Sequence, residues 1–186
     1  MKTEFSCFYG LLPSAFGEIG FVRCGVGANL TIRRVFLPDT GKPVTERIRE
    51  AFPGAAKDWR GDDVFLMLRG ALAGEAVDLD VEITEFFGLG DFARRVLLAT
   101  AEIPRGRVMT YRGLAARLGS PRGARAVGNA LAGNPVPLVI PCHRVVRTNL
   151  DTGGFGGGAV MKRGLLEREG VVFDAQGRVL PEHLLE

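Results

Sequence analysis

Cys142 has the residue type and neighbours for covalent chemistry, in the run Asn134-Pro135-Val136-Pro137-Leu138-Val139-Ile140-Pro141-Cys142-His143-Arg144-Val145. The nucleophilic form of cysteine is the thiolate, and a neighbouring imidazole or guanidinium lowers the pKa that controls it. Prolines fix φ and remove backbone donors, so this segment is stiff and is not a central ladder strand. A stiff strand ending in Cys-His would hold a thiol at a fixed point. In extended chain Cys142 and His143 point to opposite faces, so the imidazole is expected to act as a base through a water. A lone Cys beside a His is more often a buried structural thiol, and the rest of the chain has to decide between the two.

A second feature lies just upstream. Thr110 is placed to cap a helix carrying Leu114, Ala115 and Leu118, which Gly119 ends. Ser120 is then a candidate N-cap, Pro121 suits a first turn, and a helix over 122–131 turns Ala124, Val127 and Leu131 inward. Two helices joined by so short a turn form a helix-turn-helix. A major-groove reader would carry Asn, Gln or several long side chains on its second helix. Here Gly123, Ala126 and Ala130 leave that face bare around Arg125. A smooth helix can approach a groove closely, and one long cation can fill the space left by an extruded base. Taken alone, the same small residues would also serve helix packing.

The elements that position these residues fall into two groups. Residues 4–9, 18–24 and 28–37 are Phe-, Val- and Ile-rich and read as strands, with a hairpin connection at 25–29. A helix over 43–52 and a second capped by Asp62 or Asp63 and closed by Gly74 follow. Leu79, Val81 and Ile83 then alternate with Asp80 and Glu82 as a half-buried strand. Beyond Gly88 the pattern becomes helical, and Asp91 is placed to cap a helix reaching to Pro104. The predicted class is α/β of the α+β kind. A sheet-plus-helix domain over 1–87 precedes a mostly helical domain over 88–186 with a winged-helix-like helix-turn-helix.

Hydrophobic residues at 46% and charged residues at 24% suit a soluble globular chain. No apolar run approaches the ~20 residues of a membrane span, and no signal pattern opens the chain. A cytoplasmic protein with no membrane association is expected. The net charge of +3 hides an asymmetry: 94–147 holds ten Arg and one acid, Glu102, for +9, leaving 14 basic and 20 acidic residues elsewhere. Such a stretch suits a polyanion partner, since guanidinium forks match phosphate oxygens. Three Cys, at 7, 24 and 142, are too few and too odd in number to read as a disulfide framework. Cys7 and Cys24 lack histidines at metal-ligand spacing, so no metal site is expected.

Pro141-Cys142-His143-Arg144 preceded by Asn134-Pro135 closely resembles the O6-alkylguanine-DNA alkyltransferase family, the methylated-DNA–protein-cysteine methyltransferases. The resemblance runs in register from Ile103-Pro104-Arg105-Gly106 through Tyr111, Leu114-Ala115, Arg125-Ala126-Val127-Gly128 and 153–158 to Lys162, Leu165-Leu166 and Glu169-Gly170. It implies direct DNA repair by one irreversible transfer per molecule, from O6-alkylguanine to Cys142, with O4-alkylthymine a second candidate. It implies His143 as the base through a water, Glu169 as its orienter, and Asn134 as support for the turn. Tyr111 would crowd the 3′ phosphate of the flipped nucleotide and help protonate the leaving guanine. Arg125 would enter the duplex; Arg112, Ser120 and Thr148 would meet phosphates, with Gly123 and Ala126 on the same DNA-facing surface. Phe155, Gly153, Gly156, Val145, Leu131 and Pro137 would form the base pocket. The resemblance further implies a ribonuclease-H-like first domain, a monomer acting on double-stranded DNA, and no cofactor.

This sequence departs from the family at two pocket positions. Phe155 stands where Tyr is usual, and Gly156 where a larger or hydroxyl-bearing residue is common, which predicts a roomier pocket for bulkier alkyl groups. Gly88-Leu89-Gly90-Asp91-Phe92 follows the family's usual entry only loosely. Three rivals make different demands. A non-enzymatic lesion binder would replace Cys142, a helix-turn-helix regulator would carry base-reading side chains, and a Cys-His hydrolase would need an oxyanion hole.

Overall fold

A computed structural model describes residues 5–27, 29–38, 41–58, 63–76 and 88–185. Three strands, β1 (Phe5–Ser14), β2 (Gly17–Val26) and β3 (Asn29–Phe36), form an antiparallel meander. After helix α1 (Val44–Ala51), a short β4 (Ala56–Lys57) joins β1 in parallel, giving the order β3-β2-β1-β4. Gly27, with φ at 63°, lies in the tight connection from β2 to β3. The first strand runs on past Tyr9 to Ser14, because pairing with β2 continues across Gly10 and Pro13. Helix α2 (Asp63–Ala73) ends at Gly74, whose φ of 79° turns the chain out of the helix. The alternating strand expected at 79–83 lies outside the described residues.

The cysteine expectation is corrected here. Cys7 and Cys24 lie opposite each other on β1 and β2, Cα atoms 4.1 Å apart, and form a disulfide. Strand register brought them together, which their spacing of 17 residues did not signal. Among the described residues Cys142 is the free cysteine.

The later part is built from α3 (Asp91–Ala101), β5 (Met109–Thr110), α4 (Tyr111–Arg117), α5 (Ala124–Ala132), β6 (Val145–Val146) and α6 (Gly158–Arg168). Thr110 caps α4 as expected, its hydroxyl accepting from Gly113 N–H at 2.9 Å. Two other expected caps are corrected. Gly90 is the N-cap of α3, and Asp91 sits in the first turn, where its charge favours the helix dipole. Helix α5 begins at Ala124 rather than Arg122, because Ser120–Gly123 closes as a separate turn, Gly123 N–H donating to the Ser120 carbonyl at 2.7 Å. A Cβ at Gly123 would fall 2.9 Å from that carbonyl oxygen.

Among the described residues, one hydrophobic cluster joins Phe21, Val35 and Leu37 to Leu97, Leu114, Ile140 and Leu165, with two smaller clusters around Ile48 and Val146. Among the described residues, three backbone carbonyls accept hydrogen bonds between early and late elements. The edge strand β3 donates Val35 N–H to the Pro135 carbonyl at 2.8 Å. The carbonyl of Leu72, in the last turn of α2, accepts from Arg168 at 2.9 Å, and that of Gly74 accepts from Arg105.

Candidate active site

The segment from Asn134 to Pro141 is not the stiff strand expected. It is a chain of turns, because Leu138 takes a left-handed φ of 75° and Ile140 N–H turns back to the Val136 carbonyl at 2.9 Å. Asn134 holds it at both ends: its Nδ2 donates to the Ile140 carbonyl at 3.1 Å, and its Oδ1 accepts from Val136 N–H at 3.0 Å. Cys142, His143 and Arg144 then form one turn of 3₁₀ helix, so the extended geometry assumed for Cys142 and His143 does not apply.

Cys142 is 9% exposed and lines a cavity of about 380 Å³. Tyr111, Gly128, Leu131, Ala132, Asn134, Pro137, Gly154, Phe155, Gly156 and Leu37 line the rest. Burial pushes the Cys142 thiol up, against the opposing pull of an Asn134 hydrogen bond and the Lys162 charge. Tyr111 is also pushed up, first by burial and then by Cys142. Two expected pocket residues stand elsewhere. Val145 is wholly buried, pairing with Met109 between β6 and β5. Gly153 packs against Arg147 and the Tyr111 ring, and Gly154 takes its place in the lining.

Behind the thiol lies a buried ionic cluster. His143 Nε2 is 2.8 Å from Glu169 Oε1, and Arg144 grips the same carboxylate through Nε and Nη2 at 2.8–3.2 Å. Arg144 Nη1 donates to the Ile103 carbonyl at 2.6 Å. Burial disfavours charge on Glu169, but the His143 and Arg144 hydrogen bonds outweigh it and hold its carboxyl at about 2. Burial pushes His143 down despite the Glu169 contact, leaving the ring neutral at neutral pH. A carboxylate only accepts, so Nε2 carries the proton and Nδ1 keeps the lone pair. Nδ1 is buried and has no hydrogen-bond partner among the described residues. The Phe155 ring stands edge-on to the imidazole, centroids 6.2 Å apart.

Lys162 was matched by the resemblance but given no role. It is fully buried, its Nζ donating to the Val145 carbonyl at 2.6 Å and the Gly154 carbonyl at 3.2 Å. Burial lowers its pKa to about 8, with Cys142 pulling the other way. Its Nζ also lies 5.9 Å from the Tyr111 ring centroid. Its helix also carries Arg163, Glu167 and Arg168, so the local sequence does not mark Lys162 as the buried cation, which needs dedicated acceptors.

On the outer side, Arg125 and Ala126 are exposed on α5, while Val127 and Leu131 face the core. Arg112 and Thr148 are exposed nearby in sequence to the site, and Ser120 is half-buried. The ten arginines of the basic stretch divide into two groups. Arg95, Arg105, Arg107, Arg117 and Arg144 are held by internal carbonyls or carboxylates. Among the described residues Arg94, Arg112, Arg122, Arg125 and Arg147 are exposed and their guanidinium groups are not held by internal carbonyls or carboxylates, so half the stretch is free to meet an external anion.

Comparisons with known proteins agree with this architecture. Residues 91–171 match the family model for the 6-O-methylguanine DNA methyltransferase DNA-binding domain. A Methanothermobacter thermautotrophicus methylated-DNA–protein-cysteine methyltransferase is 47% identical over 110 residues, covering 59% of this chain and 61% of that relative's length. The Salmonella typhimurium protein of the same name is 40% identical over 125 residues, 67% of this chain and 68% of its own. The crystal structure of Mycobacterium tuberculosis OGT in complex with DNA superposes with a TM-score of 0.70 at 30% identity, covering 87% of this chain and 92% of that one. The chain belongs to the methylated-DNA–protein-cysteine methyltransferase family.

Proposed function

We propose that this protein repairs double-stranded DNA by direct reversal, moving the alkyl group of a flipped O6-alkylguanine onto Cys142 once per molecule. The observation that carries the reading is a free cysteine in a cavity, backed by a sealed imidazole whose Nδ1 lone pair is unclaimed. The Cys142 thiol is neutral at rest, so its proton must leave as the reaction begins. His143 receives it through a water, and the imidazolium that forms is stabilised by Glu169. The sulfur bonds to the alkyl carbon as the carbon–O6 bond breaks. The electron pair stays with the guanine, which takes a proton with help from Tyr111. The thioether is a poor leaving group, so the protein is consumed. No step calls for a cofactor.

Arg125 fills the space vacated by the base, and the bare surface around Gly123 and Ala126 allows α5 to approach the groove closely. Arg112, Ser120 and Thr148 hold flanking phosphates. The protein acts as a monomer in the cytoplasm.

The test is stoichiometric. Guanine restored in a duplex carrying one O6-methylguanine should plateau at one equivalent per protein, and Cys142→Ser should restore none. Continued turnover beyond one equivalent, or restoration by the serine variant, would contradict the proposal.

A further inference from the structure

Gly156 predicts a roomier pocket, and Leu37 bounds the space it releases. Leu37 stands across from it: a Cβ at Gly156 would lie 3.7 Å from Leu37 Cδ1, in ordinary contact. Leu37 comes from the other end of the chain, one residue past β3, and is 6% exposed. Its backbone is held on both sides. Two residues earlier, Val35 N–H donates to the Pro135 carbonyl at 2.8 Å. At Leu37 itself, the carbonyl accepts from Arg47 Nη1 at 2.8 Å. Proline follows at 38, which further limits the local backbone. Leu37 is thus a rigid wall, attached through β3 to the same Asn134–Pro137 stretch that shapes the thiol side.

A second cavity of about 370 Å³ lies behind this wall, lined by Phe16, Gly17, Pro38, Lys42, Val44 and Gly157 among others. Consecutive residues of the same two segments separate the cavities. Leu37 and Gly156 face the Cys142 side, and Pro38 and Gly157 the far side. On the Cys142 side the bulk of this boundary is the Leu37 side chain, since Gly156 has none.

We propose that Leu37 is a specificity-determining residue of the transfer site, capping the alkyl end of the cavity and limiting the size of the group transferred. The inference rests on Cys142 being the alkyl acceptor. It gives the first sheet a part in the reaction as one wall of the substrate cavity. Apolar substituents are selected, because Leu37, Pro137 and Phe155 offer no polar atom to the alkyl chain.

The test compares second-order transfer rates from O6-methylguanine and O6-benzylguanine, each in the same duplex, for the full chain and its variants. Leu37→Ala should raise the benzyl-to-methyl ratio by about tenfold, the scale of discrimination that a few methylenes give in an apolar pocket. Gly156→Leu, which adds bulk from the opposite side without hollowing the core, should lower the ratio by a similar factor. If Leu37→Ala does not fold, Leu37→Val and Gly156→Leu should still move the ratio in opposite directions. An unchanged ratio in folded variants that still transfer methyl would overturn the role of Leu37 and leave Cys142 standing. Absence of transfer by the unaltered protein would overturn the Cys142 reading and this inference with it.

Discussion

His143 Nε2 and Glu169 Oε1 lie 2.8 Å apart with both side chains sealed from water, and this contact determines which ring nitrogen is free to accept a proton. Glu169 reaches that position from the end of α6, and Arg144 shares its carboxylate from the thiol's own turn. Imidazole and thiol are thereby fixed to one short segment.

Removing the carboxylate should cost both activity and stability. Glu169→Gln leaves Arg144 partly buried without its counter-charge, a loss of about 3–5 kcal/mol. Denaturant melts at neutral pH measure it directly. The pH dependence follows from the low folded value. Glu169 titrates at about 2 in the folded protein against 4.5 unfolded, so its stabilisation is complete above pH 4.5 and is lost as pH falls toward 2. The Gln variant should lack this component of acid sensitivity. An unaltered acid profile would show that the pair contributes nothing.

The Lys162 charge pulls the Cys142 thiol down against the larger upward push of burial. Lys162→Met should slow transfer about tenfold at neutral pH, because the thiol loses the charge that opposes its burial and gives up its proton less readily. The loss should be equal on duplex and on free O6-benzylguanine, because the lysine acts on the sulfur and not on DNA. Single-turnover rates on both substrates check this.

Arg125 should behave in the opposite way. Arg125→Ala removes an exposed side chain whose proposed work is done only inside a base stack. Transfer from duplex should fall by more than tenfold, while free O6-benzylguanine reacts at an unchanged rate. Equal effects on the two substrates would end the flipping role.

The two groups of arginines should separate by salt dependence. Arg112→Ala should lower the slope of log affinity against log salt by about one, as expected for one lost phosphate contact. Arg105→Ala should leave that slope unchanged, since Arg105 is occupied with the Gly74 and Arg168 carbonyls. Its cost should appear in thermal stability instead.

Local signals in the sequence were read correctly where a single side chain decides a local outcome. Thr110 caps α4, Gly119 turns the chain after it, and Val127 and Leu131 face inward from α5. Signals that depend on tertiary partners were not legible. Ser120 has capping chemistry, yet the turn it closes with Gly123 displaces the helix start. Cys7 meets Cys24 only because of strand register. Leu37 enters the cavity from a strand edge about a hundred residues away from the thiol, a distance over which periodicity carries no information. The charge of +9 follows from composition, which does not reveal which guanidinium groups are engaged by carbonyls. Glu169 was reachable through family resemblance, and the geometry gives the physical reason for its register with His143.

The central claim is that Cys142 itself takes the alkyl group. Intact-mass measurement after incubation with a duplex holding one O6-methylguanine tests it most directly, followed by peptide mapping. The account predicts a gain equal to one methylene per protein, located on Cys142 and absent in Cys142→Ser. An unchanged mass despite tight lesion binding, or a gain on any other residue, would contradict it.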